Sequence, residues 1–89
     1  MRLKDKAALV TGAGQGFGYG IAEAFVREGA RVACLDVKGE VAEAAAKRLG
    51  PAAIALKGDV SNRADMERAA RAAIDALGRI DIVDRKSVV

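Results

Sequence analysis

At 89 residues the chain is one domain or part of one, near the lower limit for a self-sufficient hydrophobic core. Its composition, 52% hydrophobic and 30% charged, fits a soluble α/β domain and excludes a disordered or fibrous chain. The formal charge of +3 is spread from Arg2 to Lys86 among 12 acids, with only Tyr19, Phe17 and Phe25 to stack on bases, so no nucleic acid is expected as a partner.

The chain has no histidine, which removes histidine general bases and most zinc sites. Its one cysteine, Cys34, lies in an apolar run and reads as a buried reduced thiol. The opening MRLKDKAALV is too short an apolar stretch for a signal peptide, and no run approaches membrane-spanning length. No membrane partner and a cytoplasmic location are the expectation.

Short β-like runs alternate with helix-like segments, the pattern of a parallel sheet built from βαβ units. KAALVT, residues 6–11, is an apolar run that ends in a glycine cluster and reads as the first strand. A helix follows from about Phe17 to Glu28, with Ile21, Ala24, Phe25 and Glu28 on successive turns and Gly29 as its stop. Gly20 inside it costs about 1 kcal/mol relative to alanine. VACLD, residues 32–36, is the second strand, and the Ala-rich segment 39–49 is a helix stopped by Gly50 and Pro51.

AIALKGDV, residues 53–60, carries the third strand and ends on Asp59. The third helix starts from a cap at Ser61 or Asn62 and runs to Leu77 before Gly78. Met66, Ala69, Ala70, Ala73, Ile74 and Leu77 recur at helical spacing, a stripe that should face the sheet. RIDIV, residues 79–83, begins a fourth strand. Right-handed crossovers then give the order 3-2-1-4, the N-terminal half of a doubly wound, Rossmann-type sheet with the switch point between strands 1 and 4.

Between the first strand and first helix stands TGAGQGFGYG, with glycine at 12, 14, 16, 18 and 20. Glycine is needed where the backbone takes positive φ or approaches a phosphate, and a helix N-terminus offers free N–H groups to an anion. A tight βα turn also wants glycines, so the cluster alone does not decide. A P-loop needs G-x-x-x-x-G-K-[ST], and no lysine occurs between Lys6 and Lys38. The string present is T-G-x-x-x-G-x-G, from Thr11 to Gly18.

Asp36 ends the second strand, where an acid can accept hydrogen bonds from the ribose of an adenosine whose pyrophosphate lies on the glycine loop. Its alternative is a solvated residue leaving a strand. The same carboxylate favours NAD over NADP, since a 2′-phosphate at 4 Å and an effective dielectric near 20 is repelled by about 4 kcal/mol per charge pair. Position 37 is valine, which leaves Lys38 as the nearby cation. Asp59, at the same sheet edge, either receives the adenine amino group or caps the third helix.

TGAGQGFG, VACLD, GDV at 58–60 and GRIDIV at 78–83 together resemble the short-chain dehydrogenase/reductase family over residues 6–83. The resemblance implies an NAD-dependent oxidoreductase that moves hydride between cofactor and an alcohol or carbonyl substrate, in a homo-oligomeric parent enzyme. It implies that Gly12, Gly16 and Gly18 hold the pyrophosphate, that Asp36 holds the ribose, and that Asp59 and Val60 meet the adenine. It also suggests backbone contacts at Gln15 and Phe17.

After GRIDIV the family pattern continues into an N-N-A-G turn, a catalytic Ser and Tyr-x-x-x-Lys, whereas here DRKSVV follows. The only tyrosine, Tyr19, has Glu23 rather than lysine four residues on, so no catalytic residue is assigned and no turnover is expected. Residues 1–83 are expected to form a partial NAD-binding domain. Residues 84–89 read as a non-native tail, because DRKSVV is what GATCGGAAGAGCGTCGTG encodes, a common sequencing-library adapter. With one sheet edge unpaired, Ile80, Ile82 or Val83 should be partly exposed and the fold marginal. Two alternatives stay open: an S-adenosylmethionine-dependent methyltransferase, since GAGQG fits G-x-G-x-G, and a stand-alone nucleotide-binding module.

Overall fold

A computed structural model describes residues 3–14 and 16–84. The order is β1 (Ala7–Thr11), α1 (Gly16–Arg27), β2 (Arg31–Asp36), α2 (Gly39–Leu49), β3 (Ala53–Lys57), α3 (Arg63–Leu77) and β4 (Ile82–Asp84). The strands form one parallel sheet of order β3-β2-β1-β4, the expected half of a doubly wound fold. All five residues of β1 are buried, because a central strand of a parallel sheet is covered on both faces.

The two faces are separate cores. On one, Ala7 and Leu9 of β1 and Ala33 and Leu35 of β2 meet Ala69, Ala73 and Leu77 of α3. On the other, Ala8, Val10, Val32 and Cys34 lie with Ala22 of α1, and Phe25 and Leu49 pack against them. Adjacent strand residues point to opposite faces, so β1 and β2 each feed both cores. Cys34 is a free, fully buried thiol whose pKa burial pushes up to about 11.

Three features refine or correct the sequence expectation. α3 is capped by Asn62, whose Oδ1 accepts the Asp65 N–H at 3.0 Å, which decides between the two candidate caps. The buried stripe of α3 is the i, i+4, i+8 row Ala69–Ala73–Leu77, and Ile74, about 100° further round the helix, is 46% exposed. β4 starts at Ile82 rather than Arg79, because Asp81 is used as a clasp. Its N–H donates to the Ala7 carbonyl at 2.8 Å, and its Oδ2 accepts the Ala7 N–H at 2.9 Å.

Beyond the clasp, Ala8, Leu9 and Val10 pair with Ile82, Val83 and Asp84. The strand therefore takes in Asp84, the first residue of the expected tail, since ladder pairing uses only backbone groups. Residues 85–89 of that tail lie outside the described residues. Ile80 and Ile82 are half-buried and Val83 is exposed, in keeping with a sheet edge that α3 only partly covers. Among the described residues no helix is long and apolar enough to cross a membrane.

Candidate functional site

The C-terminal ends of β1, β2 and β3 deliver three segments to one edge: the glycine loop, Asp36 and the Gly58–Val60 turn. The ladder continues past the strands, with the Ala13 N–H on the Leu35 carbonyl at 3.2 Å and the Gly58 N–H on the Asp36 carbonyl at 3.1 Å. These bonds set the three segments side by side before any ligand arrives.

The loop glycines divide by cause. Gly12 and Gly16 have φ of 62° and 63°, the left-handed region that side chains resist. Gly14 and Gly18 are there for space. A Cβ on Gly18 would lie 1.9 Å from the Gly12 carbonyl oxygen, so the first turn of α1 packs directly on the loop backbone. That approach leaves the N–H groups of Phe17 and Gly18, which have no acceptor within the helix, at its N-terminus. The Phe17 side chain is 86% exposed and does not anchor the turn. Gln15 lies outside the described residues.

Asp36 is half-buried and fixed from both sides. Its Oδ2 accepts the Gly14 N–H at 3.2 Å and its Oδ1 accepts the Lys38 N–H at 3.1 Å. Each carboxylate oxygen carries a second lone pair, so both remain able to accept a hydroxyl. Asp59 is half-buried, with Oδ1 accepting the Ser61 hydroxyl at 2.7 Å and the Ser61 N–H at 2.9 Å. Those two bonds, the hydroxyl first, hold its pKa below the usual carboxylate value.

A cleft of about 200 Å³ joins these parts, lined by Gly12, Asp36, Val37, Gly58, Asp59 and Val60. It collects four of the eight residues singled out in the sequence, and Gly16, Phe17 and Gly18 follow at the loop end. The exposed Val37 and Val60 give it apolar flanks. The arrangement suits a long ligand with an anion at the helix N-terminus, a diol on Asp36 and a flat amino-bearing ring beside Asp59.

Tyr19 stands apart from the cleft, with the Arg48 guanidinium 4.6 Å from its ring centroid, and serves as packing between α1 and α2. Among the described residues no group of three or more acids, cysteines or histidines could hold a metal ion. Two contributors escaped the sequence reading. In the sequence Ser61 reads as a cap, and Gly14 as one glycine among five. A serine two residues after a turn aspartate is a local signal that could have been read.

A parallel 3-2-1-4 sheet with a glycine turn at its first βα junction and an acid ending its second strand is the N-terminal half of a Rossmann-type nucleotide-binding fold. Residues 6–85 match the family described as short chain dehydrogenase, and the chain belongs to that family. It is 48% identical over 83 residues to a sorbitol dehydrogenase of Cereibacter sphaeroides, covering 93% of this chain and 32% of that protein.

Among solved structures, the 3-ketoacyl-(acyl-carrier-protein) reductase of Brucella melitensis complexed with NADH superposes with a TM-score of 0.88 at 43% identity, covering 91% of this chain and 34% of that one. The hydroxysteroid dehydrogenase of Escherichia coli superposes with a TM-score of 0.91 at 33% identity, over 99% of this chain and 39% of its own. The chain thus spans about a third of the length of these relatives. Family membership sets the methyltransferase alternative aside.

Proposed function

We propose that this chain is the NAD-binding portion of a cytoplasmic short-chain oxidoreductase that moves hydride between a nicotinamide cofactor and an alcohol or carbonyl substrate. The observation that carries it is the placement of Asp36, locked to the glycine loop through Gly14 and sharing one cleft with Gly12, Asp59 and Val60. Residues 1–83 constitute the binding unit.

The residues present fit the cofactor. The Gly18–Gly12 approach seats the first turn of α1 directly on the loop backbone, and the first-turn N–H groups of Phe17 and Gly18 donate to the pyrophosphate. Gly12 and Gly16 shape that turn, with Gln15 contributing a backbone contact. Asp36 accepts the ribose hydroxyls. Asp59 Oδ2 accepts the adenine amino group, for among the described residues nothing else donates to it, and Val60 flanks the ring. NAD supplies hydride acceptance when bound. The carboxylate of Asp36 repels a 2′-phosphate, which favours NAD over NADP.

The 89 residues are proposed to bind without turning over. Hydride transfer needs a group that moves a proton, and Tyr19, the one tyrosine, is stacked under Arg48 with Glu23 four residues on. The proton-moving tyrosine and lysine, the substrate pocket and the subunit contacts of a homo-oligomer are assigned to the complete enzyme.

Titration of the chain with NADH, NADPH and S-adenosylmethionine tests the reading. NADH should bind tightest, and Asp36→Ala should weaken NADH about tenfold while narrowing its lead over NADPH, the size of one charge-assisted hydrogen bond. Tighter binding of NADPH or of S-adenosylmethionine by the unmodified chain would overturn it.

A further inference from the structure

The turn after β3 carries more hydrogen bonding than a connection needs. Asp59 is held at three points: Oδ1 accepts both the Ser61 hydroxyl and the Ser61 N–H, the Asp59 N–H donates to Asp65 Oδ2 at 3.1 Å, and the Asp59 carbonyl accepts the Asn62 N–H at 2.9 Å. Asn62 alone caps α3, so the Ser61 hydroxyl is not required as the helix cap. What it does is take one oxygen of a carboxylate out of competition and set the rotation of the other.

We propose that Ser61 is a positioning residue for base selection: by occupying Asp59 Oδ1 it presents Oδ2 to the cleft as an acceptor that recognises the 6-amino group of adenine and rejects a 6-carbonyl. The inference rests on the reading that adenine lies beside Asp59. Its physical basis is that a preorganised acceptor loses little freedom on binding, whereas a freely rotating carboxylate must be ordered by the ligand itself. Selectivity follows because hypoxanthine places a carbonyl oxygen, an acceptor, against the carboxylate where adenine places a donor.

Asp65 backs the same arrangement from the helix side. Its Oδ2 takes the Asp59 N–H, while its Oδ1 takes the Arg68 guanidinium at 3.1 Å. The Asp59 backbone is thereby fixed on α3, and Ser61 fixes the side chain. A purely structural Ser61 would affect folding of the turn without touching the choice of base.

The test compares binding of NADH with binding of its hypoxanthine analogue in the full 89-residue chain and in Ser61→Ala, Ser61→Thr and Asn62→Ala. The unmodified chain should prefer NADH about tenfold, Ser61→Ala should reduce that ratio about threefold or more, and Ser61→Thr should restore it. Asn62→Ala, which removes the helix cap but no contact to the Asp59 carboxylate, should lower the melting temperature and leave the ratio unchanged. Preference retained in Ser61→Ala, or lost equally in Asn62→Ala, overturns the role of Ser61 while leaving adenine at Asp59 intact. Absence of preference in the unmodified chain overturns the adenine placement, and absence of NADH binding overturns the cofactor reading; the inference falls with either.

Discussion

The Gly14 N–H donates to Asp36 Oδ2 at 3.2 Å, so the glycine loop after β1 and the carboxylate that ends β2 are one hydrogen-bonded unit although they leave different strands. Gly14 is required there by what surrounds it. A Cβ at this position would lie 1.9 Å from Val41 Cγ1 and 2.8 Å from Asp36 Oδ2. Both atoms belong to side chains, so the obstruction can be relieved.

Gly14→Ala should therefore weaken NADH binding by displacing the Asp36 carboxylate, and Val41→Ala in the same chain should recover part of the loss. A double-mutant cycle of NADH affinities reads the coupling, with about 0.5 kcal/mol or more expected for residues in contact. Strict additivity would show that the Val41 contact is not what excludes the methyl group.

Gly18 and Gly20 sit in the same helix and should respond in opposite ways. Gly18→Ala drives a methyl into the Gly12 backbone, which cannot swing aside, and should cost about 1–3 kcal/mol of stability together with NADH binding. A Cβ at Gly20 meets no atom within 4 Å, so Gly20→Ala should gain about 0.5–1 kcal/mol from helix propensity alone. Urea denaturation of both variants checks the pair of signs.

On α3, Ala73→Leu should cost about 1–3 kcal/mol, because Ala73 is fully buried against β1 and β2 and a larger side chain lifts the helix from the sheet. Ile74→Glu, one residue on and exposed, should change the urea midpoint of the isolated chain by less than about 0.5 kcal/mol equivalent. A large effect at Ile74 accompanied by a change in molecular mass in solution would mean that this face is covered.

Asp81 predicts a pH dependence. The Ala7 N–H, with the Arg79 guanidinium adding to it, holds the carboxyl below its ordinary value of 3.8. A depressed folded pKa contributes stability at pH above the unfolded value, and that contribution is lost as pH falls through the folded one. Thermal melts followed by circular dichroism should show the unmodified chain losing stability below about pH 4, with a shallower slope in Asp81→Ala over the same range.

The alternation of strands and helices, the order of the sheet and the location of the cleft were legible because they follow from periodicity, helix stops and the handedness of crossovers. Gly29, Gly50 and Gly78 end or follow their helices as read. What periodicity cannot carry is the purpose of individual polar groups. Asp81 sits in an alternating apolar stretch that reads as strand, yet its side chain turns back to a residue 74 positions earlier. The glycine loop likewise shows five glycines alike, and only the backbone angles at Gly12 and Gly16 and the close approaches at Gly14 and Gly18 separate one need from the other. Ile74 fits a helical stripe on paper, but two adjacent helix positions cannot both face a sheet against which small alanines pull the helix close.

Cys34 offers a clock. It lies at zero exposure on the second strand of the sheet, in the core between that sheet and the first two helices, and its thiol resists ionisation. A thiol reagent attacks the thiolate and needs room to approach. Neither is available until the first two helices part from the sheet or the whole domain opens. The rate at which Cys34 is labelled in native buffer therefore counts opening events, and the change in that rate when NADH is added measures how much the ligand holds the sheet closed.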